Sequence, residues 1–293
     1  MQALTKWLLA RPLNAVLALT VSLVLPIPQL TGGIIIVFLV LVKGFKETAL
    51  IICITALLAA LTLLVLGGTL ASILTLAAIT WLPAFFIAYI LLKMQSLTLS
   101  LQVLLIASFF VLVCINFFIP NLPIFWQPYL DLMAQLLQEN GMQFEAGVLT
   151  ADILTISAVF IFWLIYSMVL LFGYFIYSKM PIKTNDYGKF QDLDFGRIIA
   201  IALAFFSILA LLSGSLWLQF ISFTIFGMFM MQGLSILHWL KNEGIVQPFI
   251  VAVVYIMFPI LQIFLVVALA IIGYVDVWLG IRHRIKKFKG LRL

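Results

Sequence analysis

Charge is what this sequence has least of. Asp, Glu, Lys and Arg make up 9% of 293 residues, against 66% hydrophobic residues and a mean hydropathy of +1.28. A water-soluble domain carries charge on about a quarter of its residues, so that class is excluded and an integral membrane protein is indicated. Cysteine is almost absent as well: Cys53 and Cys114 both fall inside apolar runs and read as small buried hydrophobes rather than a disulfide or a metal site. With only His238 and His283, one chain cannot assemble a multi-histidine metal centre. There is no P-loop, no H-E-x-x-H pair, no G-x-S-x-G elbow and no acidic cluster suited to a metal-dependent lipid transferase, so neither an enzyme nor a cofactor is expected. The net charge of +6 does not point to nucleic acid. Six of the bases, from Arg282 to Arg292, crowd the final dozen positions, and the others flank apolar runs.

What is present is a succession of apolar runs punctuated by ionisable residues. About 20 residues cross the hydrocarbon at 1.5 Å each, which predicts helical spans near 13–25, 30–42, 48–66, 70–92, 98–119, 151–177, 199–213, 217–240 and 248–278. Lys6 and Arg11 precede the first run as they would in a signal peptide. No small-residue cleavage site follows, so it is read as a mature span.

Residues 120–149 carry Asp131, Glu139 and Glu145 without a single Lys or Arg, as expected of an extracytoplasmic loop. Within it, Pro128 marks a plausible first helical turn, and Tyr129, Met133, Leu136 and Leu137 then share one face. This is an amphipathic helix that either rests on the surface or covers a mouth. The loop 178–196, with Lys179, Lys183, Lys189, Asp186, Asp192 and Asp194, reads as solvated. Its bases, with Lys6, Arg11, Lys43, Lys46, Lys93 and Arg197, put the N-terminus and this loop in the cytoplasm. Three crossings after Arg197 would then leave the basic tail 282–293 outside. One run should therefore be broken or re-entrant, either 199–213 before Ser213-Gly214-Ser215 or the last run at Pro259, giving about eight crossings with both ends cytoplasmic.

Candidate binding residues are few. Pro26 and Pro28 interrupt the first two runs, forming either the lip of a site or a tight turn. Thr224, Met228, Met231, Ser235 and His238 recur at helical spacing with Gln232 beside them, and Gly227 and Gly233 permit close approach. The stripe is either a ligand surface or a packing seam. Tyr255, Gln262 and Asp276 stand at multiples of seven and would share a face of a continuous helix. Asp276, followed by Trp278, Arg282 and Arg284, can pair with a tail arginine or with Lys241, or contact lipid or a partner protein.

Gly233-Leu-Ser-Ile-Leu-His238, the segment Gly273-Tyr-Val-Asp276-Val-Trp278 followed by Arg282, and the order of the runs resemble the YybS-like family of bacterial multi-pass membrane proteins. That family is distantly similar to the substrate-binding membrane subunits of energy-coupling-factor vitamin transporters, which the Pro26-x-Pro28 break and Lys43-Gly44 also resemble. The added C-terminal runs depart from those subunits. The resemblance implies the bacterial cytoplasmic (inner) membrane.

The expectation is an all-α polytopic transmembrane bundle forming one integral membrane domain, 1–293. It would bind a small apolar molecule or lipid as part of membrane transport, without its own ATPase. Alternatively it would be a non-transporting scaffold that recruits a membrane or cytoplasmic protein through its C-terminal region.

Overall fold

The computed structural model describes residues 2–65, 69–141, 150–181 and 185–290. Glu145, Lys183, Arg292 and the side chain of Lys289 lie outside the described residues. The helices, in order, are α1 (Gln2–Ala10), α2 (Pro12–Ser22), α3 (Pro28–Lys43), α4 (Phe45–Val65), α5 (Leu70–Met94), α6 (Leu97–Phe118), α7 (Leu122–Glu139), α8 (Ala151–Ser178), α9 (Gly196–Ser213), α10 (Leu216–Asn242), α11 (Pro248–Met257), α12 (Gln262–Leu279) and α13 (Ile281–Gly290). A 3-10 turn, Phe190–Asp192, precedes α9. Among the described residues, six helices are long and apolar enough to cross a membrane: Leu74–Met94 within α5, then α6, α8, α9, α10 and α12. The chain is a multi-pass helical membrane protein.

Proline and glycine set the helix boundaries. Pro12, Pro28 and Pro248 open α2, α3 and α11, where the missing N–H would have had no intrahelical partner. Gly280 ends α12 in the left-handed region (φ 58°), its N–H bonded to the Asp276 carbonyl at 2.8 Å.

Two expectations change and one alternative is selected. The run 13–25 yields only the 11-residue α2, about 16 Å long and near half the hydrocarbon thickness. Of the two runs that could be broken, it is 248–278 that divides into two helices, because Pro259 has no N–H to continue the ladder. The chain turns instead through Ile260 and Leu261 N–H groups bonded to the Met257 carbonyl. Pro128 does not begin α7: it lies inside the helix, which starts at Leu122 under an Asn121 cap, the Oδ1 accepting from Ile124 N–H at 3.3 Å.

The chain divides into two compact units, Met1–Leu104 with Phe162–Gly188, and Leu105–Ile161 with Lys189–Leu293. In the first unit α3 is buried continuously from Ile36 to Leu41, as befits a helix that is apolar all round. Glycines bring its neighbours close: a Cβ on Gly33 would sit 2.9 Å from Val169, and one on Gly173 would sit 2.6 Å from Val37. In the middle of α5, Pro83 leaves the Ile79 carbonyl without its usual donor. The buried Tyr166 hydroxyl donates to that carbonyl at 2.7 Å and also lies 3.1 Å from the Thr80 carbonyl. Near the end of α8 a tyrosine cluster holds the loop that follows: Tyr174 donates to the Gly188 carbonyl at 2.6 Å and accepts from Tyr187 N–H at 3.1 Å. Tyr187 is itself buried, and that burial holds its phenol above the ordinary tyrosine range.

In the second unit α10 and α12 cross with their backbones in contact. A Cβ on Gly233 would fall 1.9 Å from the Leu269 carbonyl oxygen, and one on Gly273 would fall 2.1 Å from that of Phe229. Leu112, Val159 and Phe220 form a satellite core with Phe109, Ile156 and Trp217. The amphipathic α7 is tied down by Trp126, whose indole N–H donates to Thr155 Oγ1 at 2.8 Å. Of the apolar face, Tyr129, Met133 and Leu136 are exposed and Leu137 is half-buried.

Candidate functional site: a charged cleft at the end of α12

The site is organised by an ion pair. Asp276 occupies the last turn of α12, and the left-handed turn at Gly280 reverses the chain so that Arg282 points back at it. Arg282 Nη2 lies 2.8 Å and Nε 3.0 Å from Asp276 Oδ2, while its backbone N–H donates to Oδ1 at 3.3 Å. The two side chains are only 4% and 13% exposed. Burying such a pair is costly unless the remaining donors are satisfied. They are: Arg282 Nη1 donates to the Gln191 carbonyl at 3.2 Å and Nη2 to the Leu193 carbonyl at 2.9 Å.

The segment that supplies those carbonyls is held from its other side by α10. Gln232 Oε1 accepts from Phe195 N–H at 3.0 Å, and Ser235 Oγ donates to the Leu193 carbonyl at 3.4 Å. Thr224 Oγ1 bonds back to the Phe220 carbonyl at 2.8 Å, and Met228 is buried. Of the two readings of the stripe, these contacts describe the packing seam. His238, half-buried at the end of the stripe, sits 3.0 Å from the Tyr255 hydroxyl through Nε2 and edge-on to Phe190.

The common face expected for Tyr255, Gln262 and Asp276 does not exist, because the break at Pro259 separates them. Tyr255 pairs with His238, the exposed Gln262 donates to the Pro259 carbonyl at 3.1 Å, and Asp276 pairs with Arg282 rather than with Lys241. Pro26 lies exposed in a turn closed by N–H bonds from Leu23, Val24 and Leu25 to the last carbonyls of α2, and Pro28 is the first residue of α3. That is a tight turn rather than an open lip. Arg284 is exposed and does not join the cleft lining.

Beside the ion pair lies a cleft of about 560 Å³. Asp192 faces it from the 3-10 turn, Asp194 from the loop that follows, Arg197 from the start of α9, Trp239 from α10, Trp278 from α12, and His283 and Lys286 from α13. Three acids (Asp192, Asp194, Asp276) meet three bases (Arg197, Arg282, Lys286), so its charge is mixed rather than of one sign. Asp194 Oδ1 accepts from Gly196 N–H at 3.0 Å, and Lys286 Nζ lies 5.8 Å from the Trp239 ring centre. The loop residues Asp192 and Asp194, which charge alternation marks as merely solvated, thus form a wall of the cleft. Nothing in their spacing brings them to α13, because the connection runs through backbone carbonyls some 90 residues away, a separation of 91 for Gln191 and 89 for Leu193. Compared with known protein families, curated proteins and solved structures, the chain matches none.

Proposed function

We propose that the chain is a non-catalytic membrane scaffold whose C-terminal cleft and basic α13 receive a segment of a partner protein at the membrane surface. The observation that carries this reading is the cleft itself, whose floor is fixed by the Asp276–Arg282 pair. Its walls combine two tryptophans with charges of both signs. Such a surface suits a polypeptide segment with an apolar side chain flanked by acidic and basic residues, because indoles and arginines concentrate interface energy. Asp276, Val277 and Trp278, from the end of α12, supply part of this wall. In this reading the cleft faces the cytoplasm, as the bases of α13 favour.

The α10 stripe favours this reading over ligand binding, because Gln232 Oε1 and Ser235 Oγ bond to the chain's own backbone. A photo-crosslinking residue placed at His283, and as a control at exposed Phe125, tests the scaffold in intact membranes. A discrete protein adduct at position 283 that is absent at position 125 supports it. Lipid adducts alone, or equal labelling at both positions, would overturn it.

A further inference from the structure

A second cleft lies in the other unit, and its lining is apolar rather than charged. It measures about 620 Å³ and is lined by Phe45, Leu82, Pro83, Phe85, Phe86 and Tyr89. One wall is braced: Phe45 stacks on Phe85 with ring centres 4.4 Å apart and lies 4.9 Å from Tyr89. The other side is open, with Leu82 58% and Phe86 57% exposed.

On α5 the lining recurs at Leu82, Phe85 and Phe86, and Tyr89, and the next turn brings Lys93, whose Nζ is 5.7 Å from the Tyr89 ring centre. From Leu82 to Lys93 the helix rises about 16 Å, close to half of a hydrocarbon core about 30 Å thick. Pro83 sits near the middle of the apolar stretch Leu74–Met94 and Lys93 near its end. The lined groove, Leu82 to Tyr89, spans about 10 Å and is apolar; with the turn beyond it that carries Lys93 it reaches about one leaflet and is cationic at its rim. The rim charge is not cancelled locally. Lys43 is paired with Glu47 at 2.7 Å, whereas Lys46, next to Phe45, and Lys93 meet no carboxylate in the ion pairs found among the described residues.

We propose that this groove holds one acyl chain of an anionic phospholipid, with Lys46 and Lys93 contacting its phosphate. Depth selects a lipid chain over a soluble ligand, and the two lysines select negative over zwitterionic head groups. The proposal is independent of the scaffold reading, which rests on the other unit.

Native mass spectrometry of the full chain, titrated with dioleoyl phosphatidylglycerol or with dioleoyl phosphatidylcholine, tests it. The expected result is one tightly retained phosphatidylglycerol, preferred on the order of tenfold. That preference should fall to the phosphatidylcholine level in the Lys46→Gln, Lys93→Gln double variant. Phe86→Ala should weaken retention of both lipids. Equal retention of the two lipids by the wild-type chain would overturn the proposal. So would a preference that survives the double variant but disappears in Lys286→Gln, Lys287→Gln, since the basic α13 would then be the site. A lipid-free dimer that excludes both lipids would also overturn it, because a second copy would be the occupant.

Discussion

Arg282 Nη2 holds the backbone carbonyl of Leu193 at 2.9 Å, joining residues 89 positions apart, while the same nitrogen lies 2.8 Å from Asp276. One side chain thereby fixes the end of α12, the start of α13 and the loop before α9.

Removing it should be severe. Arg282→Ala leaves the Asp276 carboxylate buried without its countercharge and frees two carbonyls, a loss of about 3–5 kcal/mol by analogy with other broken buried pairs. Thermal unfolding in detergent is expected to show it. Arg282→Ala combined with Asp276→Asn should recover part of the loss, since the unpaired charge goes too. A double variant as unstable as the single one would show that the carbonyl contacts, not the charge, dominate.

The α10–α12 crossing makes a second forecast. A methyl at Gly233 would overlap the Leu269 carbonyl oxygen, which is backbone and cannot rotate away. Gly233→Ala should cost at least the roughly 1–3 kcal/mol typical of overpacking. Gly173→Ala, which meets the Val37 side chain, should cost less. Equal melting temperatures for the two variants would contradict the close crossing.

Pro83 and Tyr166 should be energetically coupled. Tyr166→Phe strands the Ile79 carbonyl at a cost of about 1–3 kcal/mol. In the Pro83→Ala background a backbone N–H can serve that carbonyl, so the same change should cost visibly less. A double-mutant cycle by chemical denaturation measures the difference, and strict additivity would refute it.

Tyr187 gives a dependence on pH. Its phenol is held above the unfolded value near 10 by burial, so the unfolded chain loses that proton first. The stabilisation is complete below about pH 10 and is lost as pH rises through the higher folded value. The melting temperature should drop over that alkaline window, and Tyr187→Phe should flatten the drop.

Much of this architecture is legible in the amino acids. The runs 98–119, 151–177 and 217–240 become α6, α8 and α10 because hydrocarbon tolerates little else. A tail arginine or Lys241 can be set against Asp276 on paper, and the structure selects Arg282. Gly233 marks a close approach by its lack of a side chain, whereas its counterpart Gly273 is not singled out, and Leu269 and Phe229, the residues the two approach, carry no signal. What the sequence hides is mostly backbone. The carbonyls of Gln191 and Leu193 that finish the Arg282 site have no side-chain identity, so no motif can announce them. Heptad arithmetic fails for Tyr255 and Gln262 because it assumes a continuous helix, and Pro259 removes that assumption. Residues such as Thr224 and Ser235 are equally at home lining a void or bonding to main chain, and only neighbours decide between those roles.

The bond from Tyr166 to Ile79 limits how the first unit can move. Sliding α8 along α5, or rolling either helix, would abandon a carbonyl in oil where no water can replace the lost hydroxyl. Either motion therefore carries the cost of an orphaned carbonyl, about 1–3 kcal/mol, which biases the two helices toward moving together at that level.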